Sequence, residues 1–163
     1  MKVIGSTAIL FVSLLCGLNM VCLKKRNIDE IKKAILFLSQ MRTSLEFSLK
    51  SPQELFEDIK LRDDFFVRDR SLELLNMGFS IEEAFDLSIK EDKFLDKNEK
   101  VLLNSLFEFF GIFDRDTQEK RFNLLIAEFG DVLHKKEEEL IKREHLYPVF
   151  AVSVGVGIII ILI

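Results

Sequence analysis

VIGSTAILFVSLLCGLNMVCL, from Val3 to Leu23, contains no charged side chain, and its reading decides the fold. At a rise of about 1.5 Å per residue it makes a helix roughly 31 Å long, matching a hydrocarbon core of about 30 Å. A cleaved signal peptide fits less well. The run exceeds the h-region of such signals, Lys2 is the sole side-chain cation before it, and no A-x-A-like site follows. Leu15 before Cys16 and Val21 before Cys22 also stand where a lipoprotein signal needs a small residue. The stretch reads as a retained membrane anchor.

At the other end, YPVFAVSVGVGIIIILI from Tyr147 to Ile163 is equally free of charge. From Pro148 it reaches about 24 Å as a straight helix, and with no polar face to turn toward water it reads as a second, short span with local thinning of the bilayer. All 27 acids and every cation except Lys2 lie between these runs, leaving 22 cations against 27 acids and a formal net charge of −5 in the middle. That balance excludes a nucleic-acid partner, whose phosphates require a basic surface. Lys24, Lys25 and Arg26 follow the first run, and Lys135, Lys136, Lys142 and Arg143 precede the second. The positive-inside rule then puts the middle in the cytoplasm and both ends outside. The expected organisation is an N-terminal transmembrane helix at 1–23, a cytoplasmic α-helical domain at 24–146 and a C-terminal transmembrane helix at 147–163. Ser13-x-x-x-Gly17 and Ser153-x-x-x-Gly157 fall at matching depths, so small residues are expected to let the spans pack antiparallel.

The middle reads as all-α, a helical bundle. It has three glycines (Gly78, Gly111, Gly130) and one proline (Pro52), too few breakers for a hairpin-rich sheet. Asn27 with Glu30 reads as a capping box starting a helix with Ile28, Ile31, Ile35, Leu38, Leu45 and Leu49 as its apolar side. Ser51-Pro52-Gln53-Glu54 signals a fresh helix to about Leu61, and another is expected from about Asp64 to Met77, closed by Gly78. Phe79-Ser80-Ile81-Glu82-Glu83-Ala84 is a further capping box with Phe79 placed as a hydrophobic staple. Asp96 and Glu99 open the next helix, expected to stop at Gly111. A last one is expected from about Asp114 to His145 with Phe122, Leu125, Ile126, Phe129, Leu133, Leu140 and Ile141 as its stripe. Fourteen of the 16 Phe lie in this middle region, at spacings that read as core.

Chemistry-bearing motifs are missing from the sequence. There is no G-x-x-x-x-G-K-[ST] loop and no G-x-G-x-x-G turn to cradle phosphates. His134 and Glu138 share a helix face but supply only two ligands, and Glu137-Glu138-Glu139 point in different directions on a helix, so both read as solvated. Cys16 and Cys22 both sit in the first apolar run, which leaves no thiolate site in the middle. No catalytic residue, cofactor or metal ligand is expected.

One stretch is more particular: Phe109-Phe110-Gly111-Ile112-Phe113-Asp114-Arg115-Asp116-Thr117-Gln118, a helix end, a glycine turn and an acid capping the next helix. Its G-x-x-D-x-x-x-Q spacing, at Gly111, Asp114 and Gln118, resembles the signature of the stage III sporulation protein AB family. The likeness covers essentially the whole chain. It includes Lys2-Val3-Ile4-Gly5 opening a span, the basic residues after it, Ser51-Pro52, the Gly78-Phe79-Ser80-Ile81-Glu82-Glu83-Ala84-Phe85 turn and the apolar C-terminus. Phe110 stands where the family commonly has Leu, Pro148 enters the second span, and Gly155-Val156-Gly157 replaces an adjacent glycine pair.

The resemblance implies a membrane component of the channel between mother cell and forespore, similar to the inner-membrane platform protein of type II secretion systems. Such a protein catalyses nothing. It passes conformational change from a separate cytoplasmic secretion ATPase to other membrane channel components, on the mother-cell side of the outer forespore membrane. Its implied partners are that ATPase, those components and the lipid bilayer, with a homo-oligomer left open. Two surfaces are candidates for contact: the elbow of Gly111, Asp114, Asp116 and Gln118, and the charged side of the membrane-proximal helix, Asp29, Lys32, Lys33, Arg42 and Glu46. Composition and motifs alone do not single out secretion, and the alternative reading is a membrane-anchored helical sensor or signalling adaptor.

Overall fold

No breaker separates Leu23 from Phe47. Lys24, Lys25 and Arg26 are good helix formers, and each added residue extends an existing helix by one hydrogen bond. In the computed structural model, which describes residues 2–47, 54, 56, 64–109, 115–144 and 146–162, α1 accordingly runs unbroken from Lys2 to Phe47. The helix start expected at Asn27 is therefore absent. Asn27 is instead a buried side chain, 5% exposed, whose Oδ1 accepts a hydrogen bond from Lys136 Nζ at 2.6 Å. A capping box needs a non-helical residue at its head, and an uninterrupted helix supplies none.

After α1 come α2 (Phe66–Asn76), α3 (Ile81–Glu91), α4 (Lys97–Asn104), a 3₁₀ turn (Ser105–Phe109), α5 (Arg115–Arg143) and α6 (Leu146–Leu162). No strand occurs among the described residues, in agreement with the all-α expectation. The helix expected from Ser51 lies outside the described residues except for Glu54 and Phe56, both helical, with Phe56 fully buried. The chain divides into two compact units, Met1–Ile28 with His134–Ile163, and Asp29–Leu133.

In the unit Asp29–Leu133, α2 closes on a Schellman turn. Gly78 takes φ +95°, Phe79 N–H donates to Leu74 O at 3.2 Å and Gly78 N–H to Leu75 O at 3.0 Å. Two residues later the expected capping box starts α3. Glu83 N–H donates to Ser80 Oγ at 3.3 Å, and Ser80 N–H donates to Glu83 Oε2 at 3.2 Å. Ser80→Ala leaves one N–H unmet, and an expected loss of about 1 kcal/mol in chemical denaturation checks this. The tight turn lets α2 and α3 approach at small residues, where Ser71 Oγ and Ser88 Oγ meet at 3.1 Å, both fully buried.

The third capping box is present at α4, where Asp96 N–H donates to Glu99 Oε2 at 2.8 Å. This helix was expected to reach Gly111 but turns 3₁₀ after Asn104. Ser105 Oγ donates to Leu102 O at 2.7 Å, competing with the α ladder, and the tighter winding carries Phe107 against Phe85 at 4.7 Å. The core is a phenylalanine cluster: Phe37 meets Phe56, Phe65 and Phe85 at centroid distances of 5.1, 5.6 and 6.3 Å. Phe122, Leu125 and Phe129 of α5 join it. The expected α5 stripe does not hold to its end, since Ile141 is 73% exposed.

Candidate functional site

The unit formed by Met1–Ile28 and His134–Ile163 is built around an antiparallel approach of α1 and α6. Gly17 is buried, and a Cβ there would stand 2.9 Å from Ala151 Cβ, 3.0 Å from Pro148 Cα and 3.1 Å from Tyr147 O. Only a residue without a side chain permits that contact. Ser13, one turn away, is half-buried. The partners expected for these two residues are not the ones used. Ser153 is exposed with its hydroxyl on Val149 O at 2.9 Å, and a Cβ on Gly157 would meet nothing within 4 Å. The close approach falls nearer the start of α6, where Ala151 Cβ and the backbone of Tyr147 and Pro148 lie against Gly17.

Polar pairs close the charged end of this unit. Lys25 Nζ meets Glu144 Oε1 at 2.6 Å, and Lys136 reaches Asn27 as described. Sequence reading missed both. For Lys25 and Glu144, opposite charges just inside two apolar runs were the available signal. Beside them a groove of about 690 Å³ is lined by Val12, Cys16, Met20, Leu146 and Phe150, with Tyr147 and Arg143 at one end.

In the other unit the charged side of α1 is not one face. Lys33 and Arg42 lie about 180° apart around the helix, flanking the buried stripe of Ile31, Ala34, Phe37, Leu38 and Met41 from opposite edges. Arg42 donates to Asn123 Oδ1 of α5, and Lys33 pairs with Asp29 at 3.2 Å and Glu30 at 2.9 Å. Asp29 and Lys32 remain on the exposed side with Leu36 and Thr43, and the side chain of Glu46 lies outside the described residues. Gly111 and Asp114 of the elbow also lie outside them. Asp116 and Gln118 fall in the first turn of α5, where the helix dipole favours the exposed Asp116 carboxylate.

Among the described side chains of the membrane-proximal helix, Glu30 is the acid that turns inward. Burial raises its pKa above the ordinary 4.5, aided by the charges of Asp92 and Asp29, and Lys33 offsets this only in part. Burial alone would lower Lys33, but its hydrogen bonds to Glu30 and Asp29 leave it raised, so it remains the charged member of the group. Glu30 Oε2 and Asp92 Oδ2 are buried without a hydrogen-bond partner among the described residues. An acid with a raised folded-state pKa holds a proton that the unfolded chain has already lost. Its contribution is thus fully present below pH 4.5 and is lost as pH rises through the raised value. Thermal denaturation across this range should show the native chain losing stability relative to Glu30→Gln as pH rises toward neutrality. Parallel profiles would contradict the inward-facing carboxyl.

No group of three or more His, Cys, Asp or Glu that could hold a metal occurs among the described residues. His134 Nε2 and Glu138 Oε1 stand 3.2 Å apart on an exposed face, where Lys142 lowers the pKa of Glu138.

The model of the family described as stage III sporulation protein AB matches residues 2–163. The chain belongs to that family. No curated protein and no solved structure matches it. Membership gives it a role in sporulation, in a family not known for enzymes. Among the described residues no single helix is long and apolar enough to cross a membrane. The bent pair Asp116–Arg143 with Leu146–Ile160 meets the length and composition together. At 17 residues, α6 falls at the short end of the usual range for a span.

Proposed function

We propose that this family member is a non-enzymatic membrane platform component of the mother cell–forespore channel. In this reading α6 and the first half of α1 are its two spans, and the unit Asp29–Leu133 is cytoplasmic. It couples a separate secretion ATPase to the membrane components of the channel. The observation that carries this reading is the antiparallel seating of the two apolar segments at Gly17, with Lys25 paired to Glu144 at their charged end. A single tether would need no such partner.

On the cytoplasmic unit the ATPase contact falls on the exposed side of α1. Asp29, Lys32, Leu36 and Thr43 follow one another at three-, four- and seven-residue steps, the spacing of a helix that receives another helix. Leu36, 52% exposed, is the apolar centre of that side.

Two measurements test the proposal, the first in vegetative cells producing the chain in their cell membrane and the second in sporulating cells. In a chain with Cys16 and Cys22 replaced by Ser, cysteines introduced at Lys2 and after Ile163 should react with an impermeant reagent at the outer face of the vegetative cell membrane, while one at Lys93 should not. Reaction of the two end cysteines only after permeabilisation would reverse the orientation. Lys32→Glu with Leu36→Asp should abolish cross-linking to the ATPase with the helical content unchanged, and undiminished cross-linking would remove this side from consideration.

A further inference from the structure

The groove between α1 and α6 is more than a seam between two helices. Apart from Ser13 and Tyr147 its floor is apolar from Met20 to Val12 on α1 and from Leu146 to Val154 on α6. Nine residues on each helix, eight rises of about 1.5 Å, make it about 12 Å long, close to one leaflet of a hydrocarbon core of about 30 Å. Its volume of about 690 Å³ is that of a ligand-sized cleft.

Polar chemistry is concentrated at one end. Arg143 lies at that mouth, exposed, with no carboxylate partner among the described residues. Its neighbours are engaged, Lys142 with Glu138 at 3.1 Å and Lys25 with Glu144 at 2.6 Å. Tyr147 stands beside Arg143 as the chain's sole Tyr, the residue type that settles at the level of lipid headgroups. A guanidinium pairs with a phosphate in bidentate fashion. An apolar slot one leaflet deep, with an exposed guanidinium at its headgroup end that meets no carboxylate among the described residues, is complementary to one kind of molecule.

We propose that this groove binds an anionic glycerophospholipid of the bilayer, with one acyl chain along Val12, Cys16, Met20 and Phe150 and its phosphate on Arg143. The inference rests on the two-span reading given above. A bound lipid of this kind fills the groove that the Gly17 contact leaves beside it, so the pair of spans presents a continuous apolar surface to the rest of the membrane.

The chain contains no Trp, so a single introduced one reports on its surroundings without background. The full chain carrying Phe150→Trp, inside the groove, or Val149→Trp, one position away and outside it, is reconstituted in phosphatidylcholine vesicles. A fixed fraction of brominated phosphatidylglycerol or of brominated phosphatidylcholine is included. The Phe150→Trp reporter should be quenched about fivefold more effectively by the phosphatidylglycerol, the size of one cation's attraction at a membrane surface, and the Val149→Trp reporter nearly equally by both. Adding Arg143→Gln should erase the preference while leaving quenching in place, and Arg143→Lys should retain part of it. Equal quenching of the groove reporter by both lipids, indifferent to Arg143→Gln, would overturn the lipid site and leave the spans standing. Weak quenching at position 150 with strong quenching at 149 would show the groove filled by another helix, a second copy or a channel subunit, and would overturn the site as well. Absence of quenching at both positions would instead bring down the two-span reading.

Discussion

Phe85→Ala should cost about 3–5 kcal/mol in chemical denaturation followed by far-ultraviolet circular dichroism, the range for deleting a buried phenyl ring that the surroundings cannot refill. The ring is fully buried and touches three others: Phe107 at 4.7 Å, Phe56 at 5.5 Å and Phe37 at 6.3 Å. The contacts with Phe56 and Phe107 are edge-on, at 88° and 60°, the arrangement in which a positive ring edge meets a negative face. Its removal therefore forfeits specific contacts as well as area. Phe79 is the internal comparison, six residues earlier and 42% exposed. Phe79→Ala should stay within about 0.5 kcal/mol of the native chain. Equal losses at the two positions would mean that the cluster is not where the stability resides.

Gly17→Val should separate α1 from α6. Two of the three atoms that the new Cβ would meet, Pro148 Cα at 3.0 Å and Tyr147 O at 3.1 Å, belong to backbone and cannot rotate away. The helices must move or the variant must pay an overpacking cost of about 1–3 kcal/mol. Spin labels at Leu15 and Val152, both exposed, should report a separation larger by about 1–2 Å, the spread that side-chain size gives to helix pairs. Gly157→Val is the control. It adds the same side chain to the same helix pair where a Cβ meets nothing within 4 Å, and it should leave the distance unchanged. A shift in both variants, or in neither, would show that Gly17 is not the point of contact.

Both predictions turn on differences between residues of one type, and this marks how far the sequence could be read. The glycine turn at Gly78 and the capping boxes at Ser80 and Asp96 were legible because each is a local device. A positive φ needs glycine, and an N-cap oxygen needs its N–H three residues on. The box expected at Asn27 had the same spacing and failed, because nothing before it ended the preceding helix. Small residues at Gly17 and Ser13 were visible as a face suited to close packing. Which residues would meet Gly17 was not, since the approach falls at Tyr147, Pro148 and Ala151, a choice made by how the two helices seat on each other.

The sequence by itself determined the all-α class, the apolar ends with a charged middle, most of the helix punctuation and the family, because hydropathy pattern, helix breakers and caps act over a few residues. Tertiary structure alone decided which phenylalanines are core and that Lys33 and Arg42 flank the buried stripe of α1 instead of sharing a face. It also decided that Glu30 turns inward and that Arg143 stands at the end of an apolar groove with no carboxylate partner among the described residues. Those outcomes depend on what a second helix, distant in the chain, brings against the first. A side chain's burial, its pKa and its partner are properties of that juxtaposition and not of the residue.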